Sequence, residues 1–242
     1  MTSIADKTVL ITGSSRGIGR ALVEEALRRG AKRVYAGMRQ PLSHPDGRVT
    51  PLALDVTDAA QIQRAAQDIK TLDVLVNNAG IASYDDLSDR SVLQQHLAVN
   101  LFGTHSVTQA FLPALRLSGG AVVNNLSVNA FAPLPLIPAY SISKAAAFSM
   151  TQSLRALVAE QGVSVYAVLT GIVDTEMSRG VDLPKASPES VARNIFDGVE
   201  KGEEDIFPDA MAESQAESWR TSAAKELERQ YAMVASASAV RS

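Results

Sequence analysis

Short apolar runs alternate along the chain with longer stretches in which apolar residues recur every three or four positions. The run "TVLITG" at 8–13 is apolar and β-branched throughout, the pattern of a strand buried on both faces. Ile18, Ala21, Leu22 and Leu27 then mark one face of a helix over 17–29, and Gly30 stands where that helix stops. Further strands are predicted at 33–38, within 49–56, and at 72–80, 120–127 and 163–171. Asp58 predicts the cap of a helix running to 68. Longer helical patterns cover 91–117, with a bend expected near Pro113, and 139–162. Two more follow at 187–202, with Pro188 in its first turn, and at 210–234. The segment 205–209 reads as a short edge strand, because Pro208 would interrupt a central one. The small-residue stretch 235–242 predicts a disordered tail. Strand–helix alternation implies a doubly wound parallel sheet with helices on both faces, and residues 1–234 read as one α/β domain. Ligands of such sheets bind beyond the carboxyl ends of the strands. The stretches "TGSSRGIG", "NNAG", "LS" and "LTG" all fall at such ends.

Composition narrows the function. At 242 residues, 46% hydrophobic and 20% charged, the chain has the balance of an ordinary globular protein. A net charge of −3 argues against a nucleic-acid partner held by a basic surface. The absence of cysteine excludes disulfides and thiol catalysis, and with only His44, His96 and His105 no metal site is expected. The opening "MTSIADKTVLITG" has neither a long apolar run nor a basic leader, and no stretch reaches about 18 apolar residues. A cytoplasmic protein without a membrane span is the expectation.

The glycine-rich stretch after the first strand admits several readings. Gly13-Ser14-Ser15-Arg16-Gly17 fits G-x-S-x-G, a hydrolase nucleophile turn, but that chemistry needs a histidine late in the chain and the last one is His105. A P-loop needs Lys-Ser/Thr after its last glycine, where Arg20 and Ala21 stand. A dinucleotide cradle keeps its physics at altered spacing: backbone N–H groups and a helix N-terminus meet a diphosphate. A plain structural turn remains the alternative.

A second constellation lies further on. Tyr140 and Lys144, four residues apart, share one helix face, and Ser127 precedes them just past a strand. Tyrosine donates a proton with a reference pKa near about 10, and a nearby cation favours its phenolate. A serine hydroxyl can hold a substrate oxygen beside the phenol. The same letters Ser141–Lys144 match the S-x-x-K of β-lactamases, but the accompanying S-D-N and K-T-G are absent. An ordinary surface pair is the plainer reading of Tyr140 and Lys144.

Taken together, T-G-x-x-x-G-x-G at 12–19, N-N-A-G at 77–80, Asn100, Ser127 and Y-x-x-x-K at 140–144 resemble the short-chain dehydrogenase/reductase family in its shorter form of about 250 residues. The resemblance covers roughly residues 5–208. It implies a Rossmann-like domain and hydride transfer between a nicotinamide and an alcohol or carbonyl. It makes Tyr140 the general acid in reduction and the base in oxidation. Lys144 would lower the Tyr140 pKa and bind the nicotinamide ribose, Ser127 would orient the carbonyl oxygen, and Asn100 would distort its helix to help hold a proton-relay water. Cofactor contacts carried over in the same way are Gly13, Ser15, Arg16, Gly17, Ile18 and Gly19 in the loop, and Asn78, Ala79 and Gly80 on the adenosine side. Asp55 and Val56 would meet the adenine, and Gly171, Val173 and Thr175 the nicotinamide carboxamide. Asn100 could equally be a satisfied helix polar residue, and Asp55 a loop residue before the Asp58 cap. One departure stands out: where the family has Pro-Gly after the sixth strand, this chain has Thr170-Gly171, which restores an N–H and backbone freedom.

NAD-binding sites of this kind place an acid after the second strand, whereas an arginine there accommodates a 2′-phosphate. Met38 and Arg39 occupy that place, with Arg16 in the glycine loop, so NADP(H) is the expected cofactor unless both arginines are solvated surface charges. Phe131, Leu134, Leu136 and Ile137 make the loop after Ser127 apolar, either as a substrate face or as core packing. The expected substrate is a hydrophobic aldehyde or ketone, the activity of a ketoreductase. A non-catalytic NADP-binding sensor or scaffold is the rival from another class, and an extended-family epimerase or dehydratase the rival within enzymes. The resemblance also implies a homodimer or homotetramer paired through the long helices 91–117 and 139–160. Leu227, Tyr231 and Val234 stripe the last helix.

Overall fold

The computed structural model describes residues 3–239, and side chains as far as Met233. Seven strands run β1 (Thr8–Thr12), β2 (Arg33–Met38), β3 (Val49–Ala53), β4 (Val74–Asn77), β5 (Ala121–Asn125), β6 (Ser164–Val168) and β7 (Asp205–Ile206). They form one sheet, all pairs parallel, in the order β3-β2-β1-β4-β5-β6-β7. Strand order reverses between β1 and β4, and that switch point opens a crevice at the carboxyl edge. β1 is buried along its whole length because neighbours pair on both sides and helices cover both faces.

The pleat divides the core. Val9, Ile11, Val74, Val76 and Val123 join one cluster with α1 (Gly17–Arg28) and α6 (Pro188–Lys201). Leu10, Leu75, Val122 and Val165 face the other way, onto α2 (Ala59–Asp68), α4 (Thr104–Ser118) and α5 (Pro138–Val158), where Phe111, Leu115 and Leu154 lie. Asp58 caps α2 as expected, its carboxylate accepting from the N–H groups of Ala60 and Gln61. β7 is a two-residue edge strand, as Pro208 requires.

Two helical patterns differ from the expectation. The pattern over 91–117 divides into α3 (Arg90–His96), a π-helical segment (Leu97–Gly103) and α4. The departure from α geometry therefore falls around Asn100, while Pro113 sits inside α4 on its exposed side. Helix α5 keeps the expected extent, its last turn (Ala159–Gln161) tightening to 3-10 before Gly162. The last pattern divides into α7 (Ala210–Arg220) and α8 (Ala223–Ala239), because the Ser222 hydroxyl accepts from the Lys225 N–H and starts a new helix. Helix α8 reaches into the stretch read as a tail; residues 240–242 and the Val234 side chain lie outside the described residues. A buried charge group holds this C-terminal part to the sheet. Asp205 meets Arg155 at 2.8 Å and Lys225 at 2.7 Å, and accepts from the Trp219 indole at 2.8 Å. Among the described residues no helix is long and apolar enough to cross a membrane.

Candidate active site

The glycine loop joins β1 to α1 at the switch point. Gly13 has φ +65°, and a Cβ there would lie 2.7 Å from Ala79 Cα, so the loop can rest on the N-N-A-G turn only as glycine. A Cβ on Gly19 would come within 2.1 Å of the Gly13 carbonyl oxygen. Arg16 occupies the N-cap of α1 in extended conformation and makes no side-chain cap, which leaves the first-turn N–H groups of Gly17, Ile18 and Gly19 without that competitor for an anion. The loop is a tightly packed glycine turn that opens a helix N-terminus, and it fits a dinucleotide diphosphate. Ser15 is exposed beside it, whereas Ser14 is buried and ties the loop to β2 by donating to the Gly37 carbonyl at 3.0 Å. Sequence reading missed that second serine, whose neighbour across the sheet is set only by folding.

The N-N-A-G turn is tied in place rather than open. Thr12 Oγ1 accepts from the N–H groups of Asn78 and Ala79, each at 3.0 Å. Asn78 Nδ2 donates to the carbonyls of Thr12 and Gly13. Gly80 leaves room for two deeper groups: a Cβ there would lie 3.3 Å from Asn100 Oδ1 and 3.7 Å from Lys144 Nζ.

Asn100 is buried at the centre of the π segment. Its Oδ1 accepts from the Ile81 N–H at 2.9 Å, and its Nδ2 donates to the Ile81 carbonyl at 3.0 Å and to Ser143 Oγ at 2.9 Å. The side chain thus clamps the loop after the N-N-A-G turn to α5. Both sequence readings of Asn100 meet here: the helix is distorted, and the amide is satisfied internally.

Ser127 follows β5, buried, and its Oγ accepts from the Asn129 N–H at 3.1 Å, starting a 3-10 turn. Asp85 receives the Ala139 N–H at the start of α5, which steadies the helix turn that carries Tyr140. Lys144 Nζ lies 5.7 Å from the Tyr140 ring centroid and donates to the Asn125 carbonyl at 2.8 Å. Ser127, Tyr140 and Lys144 therefore stand together at the crevice, with Asn100 and Gly80 beside the lysine.

The electrostatics correct one expectation. Burial pushes the Tyr140 phenol above its ordinary value, and the Ser127 hydroxyl, hydrogen-bonding the phenol, opposes that only in part. The lowering assigned to Lys144 does not dominate. That lysine is itself desolvated, which brings its pKa down to about 8, and its ammonium is directed at a backbone carbonyl.

The remaining cofactor candidates lie along the same edge. Thr175 touches the glycine loop: a Cβ on Gly17 would stand 3.1 Å from its methyl. Val173 is buried and bridges to Ala186. The Gly171 N–H donates to Asp209 Oδ2 at 2.7 Å, so the loop after β6 is held by the residue that caps α7. Arg16 forms an ion pair with Glu176, in the 3-10 turn after Thr175. Met38 is buried at the end of β2, and Arg39 is exposed beyond it. Asp55 spends a carboxylate oxygen on the N–H and hydroxyl of Thr57, the loop role the sequence left open, while Val56 is buried against Gly103. Met38, Arg39 and Asp55 lie at the ends of β2 and β3, on the other side of β1 from the β5 end that carries Ser127. Of the apolar loop residues, Phe131 packs inward, stacked on Trp219 with centroids 4.6 Å apart, while Leu134 and Leu136 are exposed.

A doubly wound sheet with a glycine cradle at its switch point and a serine, tyrosine and lysine together beside it defines a nucleotide-binding oxidoreductase fold. The family model described as short chain dehydrogenase matches residues 7–185, and the chain belongs to that family of oxidoreductases. It resembles the crystal structure of a short chain dehydrogenase from Burkholderia cenocepacia in complex with NADP, at 38% identity and a TM-score of 0.85, covering 90% of this chain and 95% of that one. It is 34% identical over 200 residues to a sorbitol dehydrogenase of Cereibacter sphaeroides, covering 77% of this chain and 78% of the relative. An uncharacterized oxidoreductase of Staphylococcus epidermidis is 31% identical over 217 residues, covering 82% and 91%.

Proposed function

We propose that this protein is an NADP(H)-dependent carbonyl reductase that converts hydrophobic aldehydes or ketones to alcohols. The observation behind the reading is the meeting of Ser127, Tyr140 and Lys144, with Lys144 beside the N-N-A-G turn on which the glycine loop rests. The cradle of Gly13, Gly17 and Gly19 would hold the diphosphate, with Arg39 toward a 2′-phosphate, Arg16 joining it only on leaving Glu176, and no acid at the end of β2 to prefer a free hydroxyl. The NADP in the Burkholderia neighbour supports the same assignment. Asp55 and Val56 would border the adenine, and Gly171, Val173 and Thr175 the carboxamide. When bound, the reduced nicotinamide supplies the hydride.

The rest of the chemistry belongs to the chain. Ser127 orients the carbonyl oxygen, and Tyr140 gives that oxygen its proton. A phenol whose pKa is raised by burial keeps its proton at neutral pH, the state a donor needs. Lys144 places a cation beside the phenol as it loses its proton, and Asn100 keeps the surrounding loop closed on α5. The exposed Leu134 and Leu136 favour an apolar substrate.

The test is a panel of aldehydes and ketones with NADPH and NADH consumption followed optically. Turnover of apolar carbonyls with NADPH preferred is expected. Comparable efficiency with NADH would sink the cofactor assignment, and NADPH binding without any turnover would favour a sensor or scaffold. The same reading takes residues 1–234 as one catalytic domain, in the cytoplasm. It pairs copies into a homodimer or homotetramer through α4 and α5, where Leu117, Ile142 and Leu157 are exposed. A monomer in light scattering at micromolar concentration would contradict that pairing.

A further inference from the structure

We propose that Thr170 and Asn125 are positioning residues for Lys144, acting through a hydrogen-bonded cord that crosses the carboxyl edge of the sheet. This rests on the reductase reading above. The cord begins at Thr170, buried just past β6, whose hydroxyl donates to Asn125 Oδ1 at 2.7 Å. Asn125, the last residue of β5, passes the bond on: its Nδ2 donates to Asn78 Oδ1 at 2.9 Å. Asn78, just past β4, donates in turn to the carbonyls of Thr12 and Gly13 at 3.0 and 3.2 Å. Four neighbouring strand ends, those of β6, β5, β4 and β1, are joined in sequence.

The middle member carries the load that matters for chemistry. The Asn125 carbonyl is the one hydrogen-bond acceptor of the Lys144 ammonium among the described residues, and Lys144 is only 5% exposed. Where that carbonyl points therefore decides where the cation sits beneath Tyr140. The peptide joining Asn125 to Leu126 is fixed from both sides: its N–H donates to the Val168 carbonyl at 2.8 Å, and its carbonyl takes the lysine. The Asn125 side chain is the third restraint on that residue, and its amide plane is set only while both ends are engaged. Proline, which the family resemblance places at 170, could not supply the hydroxyl. The far end of the cord ties off at the Thr12 and Gly13 carbonyls, while the loop itself is held independently by Thr12 Oγ1, which accepts from the Asn78 and Ala79 N–H groups.

The test compares Thr170→Val, which keeps the shape and removes the donor, with Thr170→Ser, which keeps the donor. Three readouts are taken: the kcat and KM of carbonyl reduction, NADPH affinity, and the titration of the Lys144 ammonium by NMR in cofactor-free protein. T170V is expected to lower kcat about tenfold with KM and NADPH affinity held within about twofold, since a small misplacement of a reacting group acts on the chemical step. It should also move the Lys144 titration by about half a pH unit or more, because the cation's acceptor is no longer held. T170S should restore both. Asn125→Leu should reproduce the loss, and T170V added to it should cost nothing further, as residues on one network are not additive. A T170V protein with a lowered Tm but unchanged kcat and an unchanged Lys144 titration would overturn the proposal, as would additive losses in the double variant. If the unaltered protein binds NADPH and reduces no carbonyl, the reductase reading fails alone; the Lys144 titration of the cofactor-free variants then decides the cord.

Discussion

Replacing Lys144 by methionine tests the electrostatic state of the site without substrate or cofactor. Lys144 is 5% exposed, and burial brings its pKa to about 8 from an ordinary value of 10.5. The unfolded chain therefore binds a proton that the folded chain has released once the pH passes about 8. Unfolding takes up that proton, so stability rises with pH from about 8 until the unfolded lysine also titrates near about 10.4. Below that window the full penalty of a desolvated cation is present. At about 1.36 kcal/mol per pH unit, the gain between about pH 7 and about pH 9.5 is roughly 2 kcal/mol, and it belongs to Lys144 alone. Methionine fills similar volume and does not titrate. Any constant effect of losing the bond to Asn125 cancels when each protein is compared with itself at the two pH values. Urea unfolding of the cofactor-free proteins at both pH values gives the difference. The original chain should gain about 2 kcal/mol more than K144M on going to the higher pH. Equal pH dependence in the two proteins would show that Lys144 is not a desolvated cation, and the account of the site's electrostatics would fall.

Three further outcomes follow from particular contacts. Gly19→Ala must displace the Gly13 carbonyl, 2.1 Å from the new Cβ; NADPH affinity measured by fluorescence titration should fall at least about tenfold, at a stability cost of about 1–3 kcal/mol. Arg39→Asp should lower the preference for NADPH over NADH by roughly ten- to a hundredfold in kcat/KM, the worth of one charge-assisted phosphate contact. Asp205→Asn should destabilise the protein by about 3 kcal/mol in chemical denaturation, because Arg155 and Lys225 are left partly uncompensated. Burial raises the Asp205 carboxyl, but those two cations outweigh it and hold its pKa below the usual range; the stability it supplies is present above about pH 4 and is lost as the pH falls through the folded value, so the variant should lose less on acidification.

Much of the fold could be read from the chain because its strands are buried on both faces. β1 needs no partner information to show as a continuous apolar run, and the same holds for β4 to β6. The glycine loop was legible because backbone crowding leaves only glycine at 13 and 19. Other features depend on neighbours that sequence spacing does not reveal. The π segment around Asn100 leaves the apolar pattern over 91–117 unbroken, so the pattern alone placed a bend at Pro113, and only the family resemblance pointed to a distortion at Asn100. The division between α7 and α8 was hidden inside a continuous amphipathic pattern, although Ser222 three residues before Lys225 is a capping signal. Phe131 could pack inward or face substrate, and only the position of Trp219 decides it. The shift of Tyr140 went the other way from the sequence expectation because burial, not the charge four residues away, is the larger influence. Thr170 was visible as a departure, but its partner Asn125 lies on the next strand and is met only through the β5–β6 register.

In the proposed function Tyr140 supplies the proton for carbonyl reduction in a site that holds NADPH. Tyr140→Phe removes one hydroxyl and leaves the glycine cradle untouched. NADPH affinity should stay within about twofold, while kcat for a carbonyl that the unaltered protein reduces should fall by about a hundredfold to ten-thousandfold, the range for loss of a general acid. Retained turnover in the phenylalanine variant, with NADPH still bound, would exclude Tyr140 as the proton donor.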